Sequence, residues 1–157
     1  FINSVLYDHT RKNTLLATFF HEGSVYRINM ADGSAEKILD GLKSPHGGRN
    51  YRDHYMATST SAGELCFSNG DSISFAGLPG KPPELAGMEW LQNSAPFEDC
   101  IISIDANRNS FVLLDPLKRK YDTISYDPNW AIQDIASVGD PETRALVGGI
   151  KEIIGST

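Results

Sequence analysis

The sequence predicts an all-β chain of short antiparallel strands, and three observations carry that expectation. Apolar residues alternate with a period of two, Gly-containing turns interrupt the runs at close intervals, and no amphipathic helical stripe of useful length occurs before residue 140. The first runs are Ser4–Tyr7, Thr14–Phe20, Ser24–Met30 and Ala35–Leu39, separated by Asp8–Asn13, His21–Gly23 and Ala31–Ser34. Runs of this length joined by tight turns form a four-stranded meander. The same grammar then returns in Gly47–Tyr51, Tyr55–Thr60, Gly63–Ser68 and Asp71–Phe75. Asn69-Gly70 joins the last two, and a type I′ turn needs φ > 0 at both such positions. After a Pro- and Gly-rich connection, Ala76–Gly87, a third cycle reads Met88–Gln92, Cys100–Asp105, Ser110–Asp115 and Lys120–Tyr126. Trp130–Ala136 and Arg144–Ile150 read as the first two strands of a fourth.

The opening runs centre near Val5, Gly48, Trp90 and Ile132, at spacings of 43, 42 and 42 residues. A four-stranded unit recurring every ~40–50 residues is the mark of a β-propeller blade, whose two apolar faces must both be covered by neighbours. The expectation is a half-propeller with units over residues 3–41, 42–85 and 86–128 and a partial one over 129–157. A β-sandwich also fits the strand count but predicts no such beat. Rings close with about 4–8 blades, so either a second copy or missing blades of the same protein would complete this one.

Composition narrows the function classes. The 157 residues carry 14 Lys and Arg against 20 Asp and Glu, a formal charge of −6, which disfavours a general nucleic-acid binder. No apolar run approaches the ~20 residues of a membrane helix. Cys66 and Cys100 stand alone, without zinc spacing, and read as reduced thiols. No glycosylation sequon and no secretory leader pattern are present. The first residue is Phe rather than Met, which suits a processed or trimmed chain. Localisation stays open, with the cytoplasm favoured.

The stretch Leu42-Lys43-Ser44-Pro45-His46-Gly47-Gly48-Arg49, followed by Tyr55–Leu65, resembles the blade opening of propellers of the sugar-lactonase and NHL-repeat type. A propeller group with a Pro-His-Ser/Gly-x-Arg opening is a nearer match. The resemblance covers one blade closely and the others in rhythm. It implies a six-bladed ring, and for lactonases a divalent metal (Ca or Zn) held by Glu, Asn and Asp of different blades. No such ligand set maps onto this chain, so no metal ligand and no cofactor are assigned.

In a propeller the first strand of each blade lines the axis. That places His46 and Arg49 of the second unit, Glu89 of the third, and Gln133 and Asp134 of the fourth as candidate binding residues, with Asn3 and Asp8 in the matching region of the first. His46 could act as base or ligand, Arg49 as an anion clamp, and Glu89 or Asp134 as the carboxylate partner. Each also has a purely structural reading: His46 bonded to backbone in its turn, Arg49 paired with Asp53. Asp105–Asn109 lacks the glycine and the closing Glu of a calcium loop and reads as a hairpin turn. Phe19, Phe20, Tyr26, Phe67, Phe75, Trp90, Phe111 and Trp130 are expected to form the core between blades. There is no Gly-x-Ser-x-Gly elbow or phosphate loop. Two functions follow: a module that binds a small polar ligand or a protein, or a metal-dependent hydrolase of the lactonase type.

Overall fold

The computed structural model describes residues 1–136 and Ala145. Within them the chain forms three four-stranded antiparallel sheets, each strand paired with the next in sequence. The first sheet holds β1 (Ile2–Tyr7), β2 (Thr14–Phe19), β3 (Ser24–Asn29) and β4 (Ala35–Leu39). The second holds β5 (His46–Tyr51), β6 (His54–Ser59), β7 (Glu64–Phe67) and β8 (Ser72–Ser74). The third holds β9 (Leu91–Phe97), β10 (Cys100–Asp105), β11 (Ser110–Asp115) and β12 (Lys120–Ser125). Over residues 1–136 the helical content is two single 3-10 turns, Thr60–Ala62 and Pro83–Leu85. No helix among the described residues is long and apolar enough to cross a membrane.

The first strands are neighbours, β1 against β5 and β5 against β9, so the sheets radiate from a shared inner line. The middle sheet is therefore apolar on both faces. One face brings Ala57 and Cys66 against Val25, Leu39 and Leu42 of the first sheet and its exit loop. The opposite face sets Met56, Leu65, Phe67 and Ile73 against Leu91, Ile101, Val112 and Leu114 of the third. Alternation along a strand makes this possible, since successive side chains point to opposite faces. Each fully buried Leu or Ile contributes roughly 1.5–3 kcal/mol.

This core is mostly aliphatic, which corrects the expectation for the aromatics. Phe67 and Phe75 are buried in it, but Trp130 is exposed, and Phe19, Tyr26 and Phe111 are only half-buried. Phe19 and Tyr26 meet edge to face on the side of the first sheet turned away from the second. Two other expectations change. The third sheet opens at Leu91, not Met88, because the segment before it is held by other partners: the Met88 carbonyl accepts from Lys81 Nζ and Asn107 Nδ2. Pro96 sits in this strand without breaking the sheet, because β9 is an edge strand. Residues 130–136 form no ladder and run as an irregular segment past β9. The expected strand Arg144–Ile150 and the apolar stretch Gly149–Ile154, apart from Ala145, lie outside the described residues.

Cys66 and Cys100 are free and half-buried. Burial, aided by Glu64, pushes the Cys66 thiol up to about 11, so it packs as an unreactive apolar group.

Candidate functional site at the sheet axis

A β-bulge in β5 builds the site. Pairing with β6 shifts by one residue between His46 and Arg49, which takes the Gly47 and Gly48 amides off the regular ladder. Both find hydroxyls of the first sheet instead. Gly47 N–H donates to Ser4 Oγ at 3.1 Å and Gly48 N–H donates to Thr18 Oγ1 at 2.9 Å, while Ser4 Oγ donates to Thr18 Oγ1 at 2.9 Å. The two glycines are also sterically required. Gly47 has φ +61°, and a Cβ there would lie 1.9 Å from Asn93 Oδ1; one on Gly48 would lie 2.6 Å from Val25 Cγ1. The Pro-His-Gly-Gly-Arg opening is thus the sequence of an inner strand squeezed by both neighbouring blades.

The same stitch recurs one sheet later. Thr58 Oγ1 donates to Ser94 Oγ at 3.1 Å, and Ser94 Oγ donates to Ser103 Oγ at 2.8 Å. These hydroxyls are buried, and all of them are paired, as buried polar groups must be.

Above this belt lies a cavity of about 240 Å³ lined by Asn3, Ser4, His46, Gly47, Asn93, Gln133 and Asp134. A second, of about 440 Å³, is lined on the opposite side by Leu6, Tyr7, His9, Arg49, Asn50, Ala95, Pro96, and Asp134 to Ala136. Asp134 belongs to both. Four of the five expected residues, His46, Arg49, Gln133 and Asp134, are therefore placed along one line, with Asn93 at its centre. Asn93 Nδ2 donates to Asp134 Oδ1 at 2.6 Å, and Asn93 Oδ1 accepts from Ser94 N at 2.8 Å and from Arg49 Nη2 at 3.3 Å. Gln92 Nε2 donates to Gln133 Oε1 at 2.6 Å. Residues 133 and 134 thus follow 92 and 93 at the same interval of 41. That interval is the signal that could have revealed Gln92 and Asn93. Asn3 joins the line by donating to the Pro45 carbonyl at 3.0 Å.

His46 is half-buried. Its Nδ1 lies 2.6 Å from Thr60 Oγ1 and 3.2 Å from the Ser44 carbonyl. A proton on Nδ1 serves both acceptors and leaves Nε2 as the acceptor. Burial lowers the His46 pKa, outweighing the Ser44 bond that would raise it, so the ring is neutral at pH 7. Burial likewise lowers the Arg49 pKa, offset in part by Asp134 at 3.8 Å. Asp53, the partner expected for Arg49, bonds His54 instead.

Glu89 does not share this axis. It binds Lys81 Nζ and accepts from Arg108 Nη1 at 3.0 Å, and Arg108 Nη1 also reaches the fully buried Asp105 at 2.8 Å. Arg108 further donates to the Leu78 and Ala76 carbonyls, so the cluster pins the loop between the second and third sheets. Asp8 is also structural. Its oxygens accept from Thr10 N at 2.9 Å, Asn50 Nδ2 at 2.8 Å and Tyr55 Oη at 2.8 Å, tying the first sheet to the second.

No family model matches this chain, and no curated protein does. Among solved structures it is similar to a chain of a nidogen/laminin complex, with a TM-score of 0.58 and 12% identity over 80% of this chain and 47% of that one. It is also similar to the extracellular domain of BT4673 from B. thetaiotaomicron, in two structures with TM-scores of 0.55 and 0.54 and identities of 14% and 16%. Each match there covers 82% of this chain and 17% of that one. The chain thus spans about half the length of one neighbour and under a fifth of the other. At such identities the likeness concerns the fold: an all-β chain of four-stranded, propeller-like blades.

Proposed function

We propose that this chain is a propeller-type binding module that holds a small polar molecule at the axis where its sheets converge. The observation that carries the reading is that first strands of all three sheets deliver polar side chains to one cavity: Asn3 and Ser4, His46, and Asn93. Convergent polar groups in a concave site are how the fold builds recognition. The alternative is a metal-dependent hydrolase of the sugar-lactonase type, whose metal would be held by Glu, Asn and Asp side chains of different blades. Among the described residues no group of three or more His, Cys, Asp or Glu side chains comes together.

The test is a thermal-shift and calorimetric screen of small polar compounds (sugars, polyols, amino acids and carboxylic acids) on the wild-type chain and on Asn93→Ala. A saturable ligand that binds at least tenfold more weakly to Asn93→Ala supports the reading. The absence of any ligand in the screen, or one indifferent to Asn93, would overturn it.

A further inference from the structure

Among the described residues three arginine side chains lie mostly out of water: Arg27, which pairs with Glu36 and donates to Tyr55 Oη at 3.0 Å, and Arg49 and Arg108, which are served very differently. Arg108 makes five hydrogen bonds, three of them at 2.8–3.0 Å, two of those to carboxylates and the third to the Leu78 carbonyl. Arg49 has hydrogen bonds only at 3.3 Å, one to the Gly47 carbonyl and one to Asn93 Oδ1, with Asp134 at 3.8 Å. Its side chain is nonetheless just 16% exposed. A guanidinium offers five N–H donors in a planar fork, and burying it without close acceptors is costly. Among the described residues, then, Arg49 is a cation out of water whose fork lacks a close anionic acceptor.

Asp134 comes nearest to filling that role. Its Oδ1 is held by Asn93 Nδ2 at 2.6 Å and by the Ile135 amide at 2.7 Å, yet it stops short of Arg49. The carboxylate is 66% exposed, lies on a segment outside any sheet, and separates the two axial cavities. A solvent-facing acid that is held by Asn93 and its own neighbouring amide, but does not close on the Arg49 fork, can be exchanged for one that does.

Building on the axial-binding reading above, we propose that the axis binds a carboxylate ligand, clamped by Arg49 and Asn93, and that Asp134 is its resident stand-in, displaced when the ligand enters. Displacement joins the two cavities into one passage. The bidentate fork of Arg49 selects a planar carboxylate, and Asn93 Nδ2 supplies the donor it now gives to Asp134. The overall charge of −6 opposes anions at long range, but salt screens that field over about 8 Å while the buried clamp acts at contact. Because Asp134 competes for the same donors, the apparent affinity is reduced by the fraction of time it occupies them.

The experiment titrates the chain with succinate and with the matched neutral diol 1,4-butanediol, by calorimetry and by the NMR resonance of Arg49 Nε–H. Succinate is expected to bind and shift that resonance, and the diol to do neither. Asp134→Ser is expected to bind succinate about tenfold more tightly, since the competitor is gone. Arg49→Gln is expected to lose binding, and Arg49→Lys to recover only a part, since an ammonium lacks the fork. If the diol or neutral sugars bind as well as succinate and Arg49→Gln leaves them unchanged, the carboxylate assignment fails while axial binding stands. Inorganic phosphate binding in place of succinate also overturns it. If nothing in the wider polar screen binds, the axial reading itself falls. Should Asp134→Ser fold poorly, the wild type decides the matter: acetate is expected to compete with succinate and to shift the Arg49 resonance, and succinate binding that leaves that resonance unmoved refutes the clamp.

Discussion

The Gly48 amide donates to the Thr18 hydroxyl at 2.9 Å, across the gap between two sheets, at a point where a Cβ on Gly48 would strike Val25. Thr18→Val keeps the shape but leaves the buried Gly48 amide unpaired and takes the acceptor from the Ser4 hydroxyl proton. The expected cost is about 1–3 kcal/mol. Gly48→Ala overpacks the same contact and is expected to cost a similar ~1–3 kcal/mol. Urea unfolding measures both, and the double variant should cost less than the sum because the two residues share one contact.

Arg108 offers a contrast with Arg49. Arg108→Met leaves Asp105 buried without its cation, and burial already raises the pKa of that acid despite the pair. Breaking such a pair costs about 3–5 kcal/mol. Glu89→Gln, which leaves the Arg108–Asp105 pair in place, is expected to destabilise less and to leave ligand affinity at the axis unchanged. A loss of affinity in Glu89→Gln with the melting temperature preserved would return Glu89 to the site.

Asp8 sets a pH dependence. Burial would raise its pKa, but hydrogen bonds from Thr10, Asn50 and Tyr55 outweigh that and lower it to about 2. With an ordinary value of 3.8 when unfolded, the unfolded state binds the proton first as pH falls. The stabilisation, of order 2 kcal/mol, is therefore complete above about pH 5 and is lost between about pH 4 and 2. Unfolding free energies of wild type and Asp8→Asn across that window should converge toward pH 2.

His46 works in the same direction at higher pH. Its folded pKa lies below the unfolded value, so its contribution is present above the unfolded pKa near ~6.5 and declines as pH falls below it. NMR titration of the ring, with His46→Gln as the stability control, reads this directly. A His46 resonance titrating above 6.5 would contradict it.

The two outer sheets each present an apolar face. On the first, Val5, Ala17 and Tyr26 form one cross-strand row and Tyr7, Leu15 and Ile28 another. On the third, Ile102 pairs with Leu113, and Ile104, Phe111 and Ile124 line up beside them. Val5 and Ile124 are about half exposed. Leu6, between Val5 and Tyr7, points the other way and lines the axial cavity. We expect a second copy to cover these faces, the third sheet of each against the first sheet of the other, closing one six-sheet ring about a two-fold axis. Light scattering should give a mass above the 17.2 kDa of one chain at micromolar concentration. Val5→Lys combined with Ile124→Lys should return it to one chain. A wild-type monomer would refute the pairing.

The strand runs, their turns and the repeat were legible in the sequence because each depends on local chemistry. Alternation of apolar residues, Asn69-Gly70 and the regular return of opening runs need no knowledge of distant contacts. His46, Arg49, Gln133 and Asp134 could be placed on the axis because the repeat assigns first strands there. Glu89 fell outside that logic, since Lys81 and Arg108 come from two other segments and draw it away. Asn93 was hidden within Gln92-Asn93-Ser94-Ala95-Pro96, a polar run ending in proline that reads as loop until an edge position makes it a strand. The slack around Arg49 against the saturation of Arg108 was decided only by the tertiary structure. Identical side chains acquire opposite roles according to how many acceptors the folded chain brings within 3 Å of them, and that number is set by long-range packing rather than by any neighbour in sequence.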